Sequence, residues 1–258
     1  MRLTYVPLLR DQRELYIRPR DIKRFKQYLH MTLDFETARV KLPTVGMNPM
    51  AKEHVATFLD ALLAIDADGV GEAATREAET ALAAVPGSYR VALVVHDDVG
   101  GWTNRAACEY AERLAAPSPS GQAYMDWLTG TLWASEAPSE QLVREQVLTA
   151  LYRAAYVHEH GHARTLRELL EQEGRVMARA GCAGPTLDPD DLEYTRHVLE
   201  PFLDAEDMRT HVECLYGDAA GAALGFTPRG LSDRAGLALA LHDARRAAPA
   251  RSPVSPRS

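Results

Sequence analysis

At 258 residues, with 46% apolar and 25% charged side chains, the chain has the length and balance of a globular protein with a sizeable core. A net charge of −7 withholds the overall attraction to phosphate on which nucleic-acid binding rests; the local exception, Arg18, Arg20, Lys23, Arg24 and Lys26, reads as a solvated helix face. Cys108, Cys182 and Cys214 form neither a disulfide framework nor a metal-type pair, and no signal-peptide core or membrane-length apolar run is visible, so the expectation is a cytoplasmic chain with no membrane or nucleic-acid partner.

Residues 1–17 carry no clean period and Pro19 interrupts them. Ile22, Phe25, Leu29 and Leu33 recur at helical spacing, with basic residues opposite. The segment 42–50, with two prolines and a glycine, is a loop. A helix follows on Val55, Phe58, Leu59, Leu62 and Leu63, and a second, exposed helix occupies 71–85. Val91-Ala92-Leu93-Val94-Val95 is the best strand, apolar on both faces. It runs into His96-Asp97-Asp98 and a glycine-containing stretch that reads as a turn and the cap of a helix over 104–115. Asp97 and Asp98, being adjacent, point to opposite faces, so only one can serve a site. Trp127 to Trp133 is a strand or a short buried helix; the pattern does not choose between them.

After Ser139, a plausible N-cap, helical periodicity runs from Glu140 to Gln172, then again from Asp188-Pro189, over 206–224 and over 232–246. These elements predict an α+β fold, predominantly α-helical with a small β-sheet. They form a single globular domain over 1–246, with a point of subdivision open near 117–121, and a disordered Pro/Ser/Arg-rich tail at 247–258.

Within the long helical stretch lies Val157-His158-Glu159-His160-Gly161-His162-Ala163. Residues four apart share a helix face, so His158 and His162 would present two imidazoles to one metal ion. Glu159 would stand on its flank, within reach of a bound water. This stretch resembles the active helix of the zincin metallopeptidases, which show H-E-x-x-H, often with glycine before the second histidine and alanine after it. The resemblance covers residues 156–163. It implies Zn2+ held by His158 and His162, Glu159 as the catalytic base, and a third ligand on a later helix. Glu193 is the first choice for that ligand, with His197 or Glu213 as alternatives. His160 stands where zincins carry an apolar residue, and the third histidine of the metzincin extension is absent.

The function these residues predict is zinc-dependent hydrolysis of a small-molecule or peptide substrate, at a peptide or amide bond. Two other readings remain open. Glu159 and His162 also form the E-x-x-H pair of dimetal, di-iron-type helical oxidases, although Glu193 and His197 are spaced wrongly for the second pair. A non-enzymatic ligand-binding or scaffold protein would instead use the loops 48–54 and 97–105. No serine-hydrolase elbow, P-loop or Rossmann fingerprint occurs.

Overall fold

The computed structural model describes residues 1–37, 39–114 and 126–247. Over these the protein is α+β and mostly helical, with one three-stranded parallel sheet and one two-stranded antiparallel ribbon. The chain divides into two compact units, Met1–His162 and Ala163–Ser258. The expected break near 117–121 and the tail from 248 onward lie outside the described residues; Ala247 closes the last helix.

The first unit contains, in order, β1 (Arg2–Tyr5), α1 (Leu9–Leu15), α2 (Ile22–Thr32), the ribbon β2 (Leu33–Asp34) and β3 (Arg39–Val40), and α3 (Glu53–Ala64). It continues with α4 (Ala67–Ala81), β4 (Ser88–His96), α5 (Arg105–Leu114), β5 (Trp127–Trp133) and α6 (Glu140–His160). The sheet order is β1-β4-β5, with both pairings parallel and Val91 opposite both Tyr5 and Leu128. Helices α4 and α6 pack on the sheet, and α1 reaches β4. Strand β4 is buried from Val91 to His96 without alternation, as in a parallel strand covered by its connections.

Strand β1 ends at Tyr5, which would leave the far half of β4 with an unpaired edge. The fully buried Gln12 of α1 fills that place. Its Nε2 donates to Leu93 O at 2.9 Å and its Oε1 accepts from Val95 N at 2.9 Å, so one side-chain amide replaces a strand partner. All three strands end on the same side of the sheet, the position where open parallel sheets carry their ligands.

The second unit is helical: α7 (Leu166–Ala180), α8 (Pro189–Leu199), α9 (Met208–Tyr216), α10 (Asp218–Ala223) and α11 (Ala235–Ala247). Thr165 and Glu168 close a capping box on α7, and Asp188 and Asp207 cap α8 and α9. Its core is built from Leu166, Leu169, Val212, Leu215, Leu237 and Leu241, all buried.

Several expectations change. The N-terminal residues form β1 and α1, which are too short for a period to show. Helix α2 buries Arg24, Tyr28 and Thr32 and exposes Ile22, so its buried stripe is rotated from the apolar one and Arg24 is not on a solvated face. Trp127–Trp133 is a strand, pairing with β4 along its whole length. The continuous helix over 140–172 does not form: α6 ends at His160, because Gly161 takes φ +84° and ψ 179°, which is open to glycine and strained for any other residue.

Candidate functional site

The site is built at the end of β4, where three segments meet. Strand β4 delivers His96 and Asp97 in succession, so their side chains leave on opposite sides. The 42–52 loop packs against both. Its Gly46 lies so near His96 that a β-carbon there would stand 2.1 Å from Nε2, and its Asn48 bonds Asp97. Tyr16, Tyr28 and Thr32 hold that loop in place. Tyr16 Oη donates to Asn48 O at 2.7 Å, Tyr28 Oη to Val45 O at 3.0 Å, and the Thr32 and Thr44 hydroxyls bond at 2.8 Å.

Asp97 is the hub. Its carboxylate is buried and accepts from Asn48 Nδ2 (2.7 Å), His54 Nε2 (2.8 Å), Gly100 N (2.8 Å) and Val99 N (3.1 Å). Burial alone would raise its pKa; the bonds from His54, the Gly100 N–H and Asn48 outweigh burial and hold it below the ordinary carboxylate value. An ionised carboxylate can only accept, so His54 carries a proton on Nε2, and whenever the ring is neutral its Nδ1 is the base. Nδ1 makes no bond to another described residue, and the side chain keeps 29% of its exposure.

Arg24 stands behind the same loop. It is 4% exposed, lies 4.3 Å from the Tyr16 ring centroid and donates Nη2 to Ala51 O at 3.0 Å, while its Nε has no partner. No carboxylate among the described residues pairs with it. Burial lowers the Arg24 pKa, with Tyr16 and the more distant Glu53 carboxylate opposing, so its charge is only partly compensated.

On the other side of β4, His96 is buried with its ring edge-on to Trp133 at 5.3 Å. Its Nδ1 lies 3.6 Å from Cys108 Sγ, and Cys108 Sγ lies 3.9 Å from Oε1 of Glu112, one turn along α5. Thr131 Oγ1 of β5 donates to that same Oε1 at 2.8 Å. Burial pulls the His96 pKa down to about 4, with Asp98 opposing; burial, then Glu112 and Glu109, push the Cys108 thiol up to about 12. Asp98 points away and joins the turn after β5, accepting from Ser135 N and Oγ at 3.0 and 2.6 Å. Arg105 bonds Glu109 and Glu136 nearby, so the 97–105 loop is fastened at both ends.

The histidines singled out by sequence are not arranged as H-E-x-x-H requires. His158, Glu159 and His160 are exposed on the last turn of α6. His162 lies beyond the helix stop, exposed, with Nδ1 bonded to Leu114 O at 3.0 Å. His158 and His162 therefore do not share a helix face, the residues do not fit the zinc geometry that the zincin resemblance implies, and the E-x-x-H pair of the dimetal reading is broken by the same stop. Glu193 and His197 are exposed on α8 and line a groove of about 710 Å³ floored by Leu170, Leu199 and Leu239. Glu213 of α9 is buried and taken up by Arg209 and Arg229.

Sequence reasoning marked the two loops that meet here, and one of Asp97 and Asp98 as able to serve a site, but missed Arg24, His96, Cys108 and Glu112. Arg24 shares a helical spacing with Tyr28 and Thr32, and Cys108 with Glu112, which were the available signals. His96 had none beyond its place at a strand end. The chain matches no protein-family model, no curated protein and no solved structure.

Proposed function

We propose that the chain is an enzyme that binds a small anionic molecule where the loops 48–54 and 97–105 meet, with His54 as general base. The observation that carries this is the bond from His54 Nε2 to buried Asp97, made across 43 positions of sequence, which leaves Nδ1 without a bond to another described residue on a part-exposed side chain. The bonds from Val99 and Gly100 would be accounted for by a turn alone. Those from His54 and Asn48 would not, because they tie a distant loop to the strand end. A carboxylate that fixes an imidazole's tautomer and orientation, then stabilises its protonated form, is the arrangement general bases use.

The anionic character of the substrate follows from Arg24 and its surroundings. Four further basic residues lie between Arg18 and Lys26, a local positive field in a chain of net charge −7. The reaction class is hydrolysis or another attack by a deprotonated water or hydroxyl, with His54 rather than Glu159 taking the proton. The test is thermal unfolding with inorganic phosphate, acetate or succinate added. One of these anions raises the melting temperature of the wild-type protein and has no such effect on Arg24→Gln; ligand at one hundred times Kd adds about 2.7 kcal/mol. No response to any of the three at millimolar concentration contradicts the reading.

A further inference from the structure

We propose that His96, Cys108 and Glu112 form a binding site for one Zn2+ ion, separate from the Asp97 site and independent of its function. Among the described residues they are the one group of three or more histidine, cysteine or carboxylate side chains with donor atoms close enough for a shared ion, all within 4.8 Å of one another. Zinc bonds of about 2.1 Å to nitrogen and 2.3 Å to sulfur at a tetrahedral angle place the two donors about 3.6 Å apart. His96 Nδ1 and Cys108 Sγ stand 3.6 Å apart, and the Sγ to Oε1 distance of 3.9 Å needs only a small closing movement of Glu112.

The chemistry of the set selects the ion. One imidazole, one thiolate and one carboxylate suit zinc and exclude magnesium and calcium, which take oxygen donors. Thiolate and carboxylate together neutralise a dication, the thiol proton leaving to solvent as the metal binds. Burial, with Glu109, raises the Glu112 pKa against the opposing pull of Thr131, Arg153 and Arg113, so the bound cation supplies the charge that its anionic form lacks.

The surroundings are those of a prepared centre. Thr131 orients the Glu112 carboxylate from β5, the role that outer hydrogen bonds have at metal sites. Trp133 and the bare Gly46 fix the plane of the His96 ring. Cys108 and Glu112 are half-buried rather than sealed, so an ion can enter. Three protein donors leave a fourth position for water or a ligand.

The full chain, stripped with a chelator, is titrated with Zn2+ in competition with a chromophoric chelator. It takes up one zinc per chain. Cys108→Ser and Glu112→Gln each weaken binding by about 100-fold or more, and Thr131→Val, which removes only the outer bond, by about 10- to 100-fold. Cobalt in place of zinc gives the near-ultraviolet thiolate-to-metal charge-transfer band, which vanishes in Cys108→Ser. The double variant His158→Ala/His162→Ala binds as tightly as wild type. The proposal is overturned by no stoichiometric zinc in the wild-type chain, by a cobalt complex without the thiolate band, by undiminished affinity in Cys108→Ser, or by loss of binding in the double variant. The cobalt spectrum needs only the wild-type chain, so a failure of one variant to fold does not protect the idea.

Discussion

Asp97 shows how one side chain can decide a site. It is 1% exposed and has four donors around two oxygens, so any group that cannot accept at all four is opposed by its own surroundings. Asp97→Asn is nearly the same size but turns an amide donor toward at least one of those donors. Losing a charged hydrogen bond and leaving its partner unsatisfied costs about 2–3 kcal/mol, read as a lower urea midpoint with unchanged slope. Gly46→Ala fails for a steric reason: the new methyl meets the His96 ring, which must rotate or push the loop away. The expected loss is about 1–3 kcal/mol, the usual effect of overpacking. An unfolding midpoint equal to that of wild type would show that the loop gives way freely.

His96 makes the metal-free protein sensitive to acid. Its folded pKa is about 4 because the site is dry, against ~6.5 in an unfolded chain, so the unfolded chain takes the proton first. The stability this contributes is complete above ~6.5 and is lost as the pH falls toward 4. Between pH 7 and pH 5 the loss is about 2 kcal/mol, and urea unfolding of His96→Gln should show a correspondingly smaller change over that range.

At the scale of elements, the chain announces what packs through local pattern and conceals what depends on distant neighbours. Strand β4 is legible because a run of β-branched residues buried on both faces has no other comfortable conformation. The cap Ser139 and the helix start at Asp188-Pro189 are legible because the signals they carry are local. Helix α2 is legible as a helix but not in its orientation: the 42–52 loop offers Arg24 the Ala51 carbonyl and Tyr16 offers its ring, and together they draw a charged residue inward. Most consequential is Gly161. Helix-forming residues on both sides extend the periodic pattern across it, yet the backbone turns there and separates His158 from His162. Gly161→Ala puts a side chain where φ is +84°, with open space around it, so the cost is backbone strain alone, about 1–3 kcal/mol. Chemical denaturation measures it, and a stabilised variant would mean that the turn is not held in this form.

For the molecule as a whole, the legible part of the site was its two loops and the hidden part was their meeting. Asn48 and His54 lie 49 and 43 positions from Asp97, and no periodicity reports contacts at that range. They come together because a parallel sheet needs long connections between its strands. The connection from β1 to β4 carries the 42–52 loop back over the end of the strand it leads to. In the second unit the helices were mostly readable from periodicity, while the span 206–224 proved to be two helices, parted at Gly217. No helix among the described residues is long and apolar enough to cross a membrane.

The central claim is that His54 is a base poised for an external molecule, and the nitrogen NMR spectrum of histidine-labelled protein tests it most directly. With the resonance assigned by His54→Gln, the neutral His54 ring should carry its proton on Nε2 in wild type. Its Nδ1 signal should move when the stabilising anion is added, and Asp97→Asn should weaken the tautomer preference. A ring protonated on Nδ1, or one indifferent to every anion in the panel, would contradict the account.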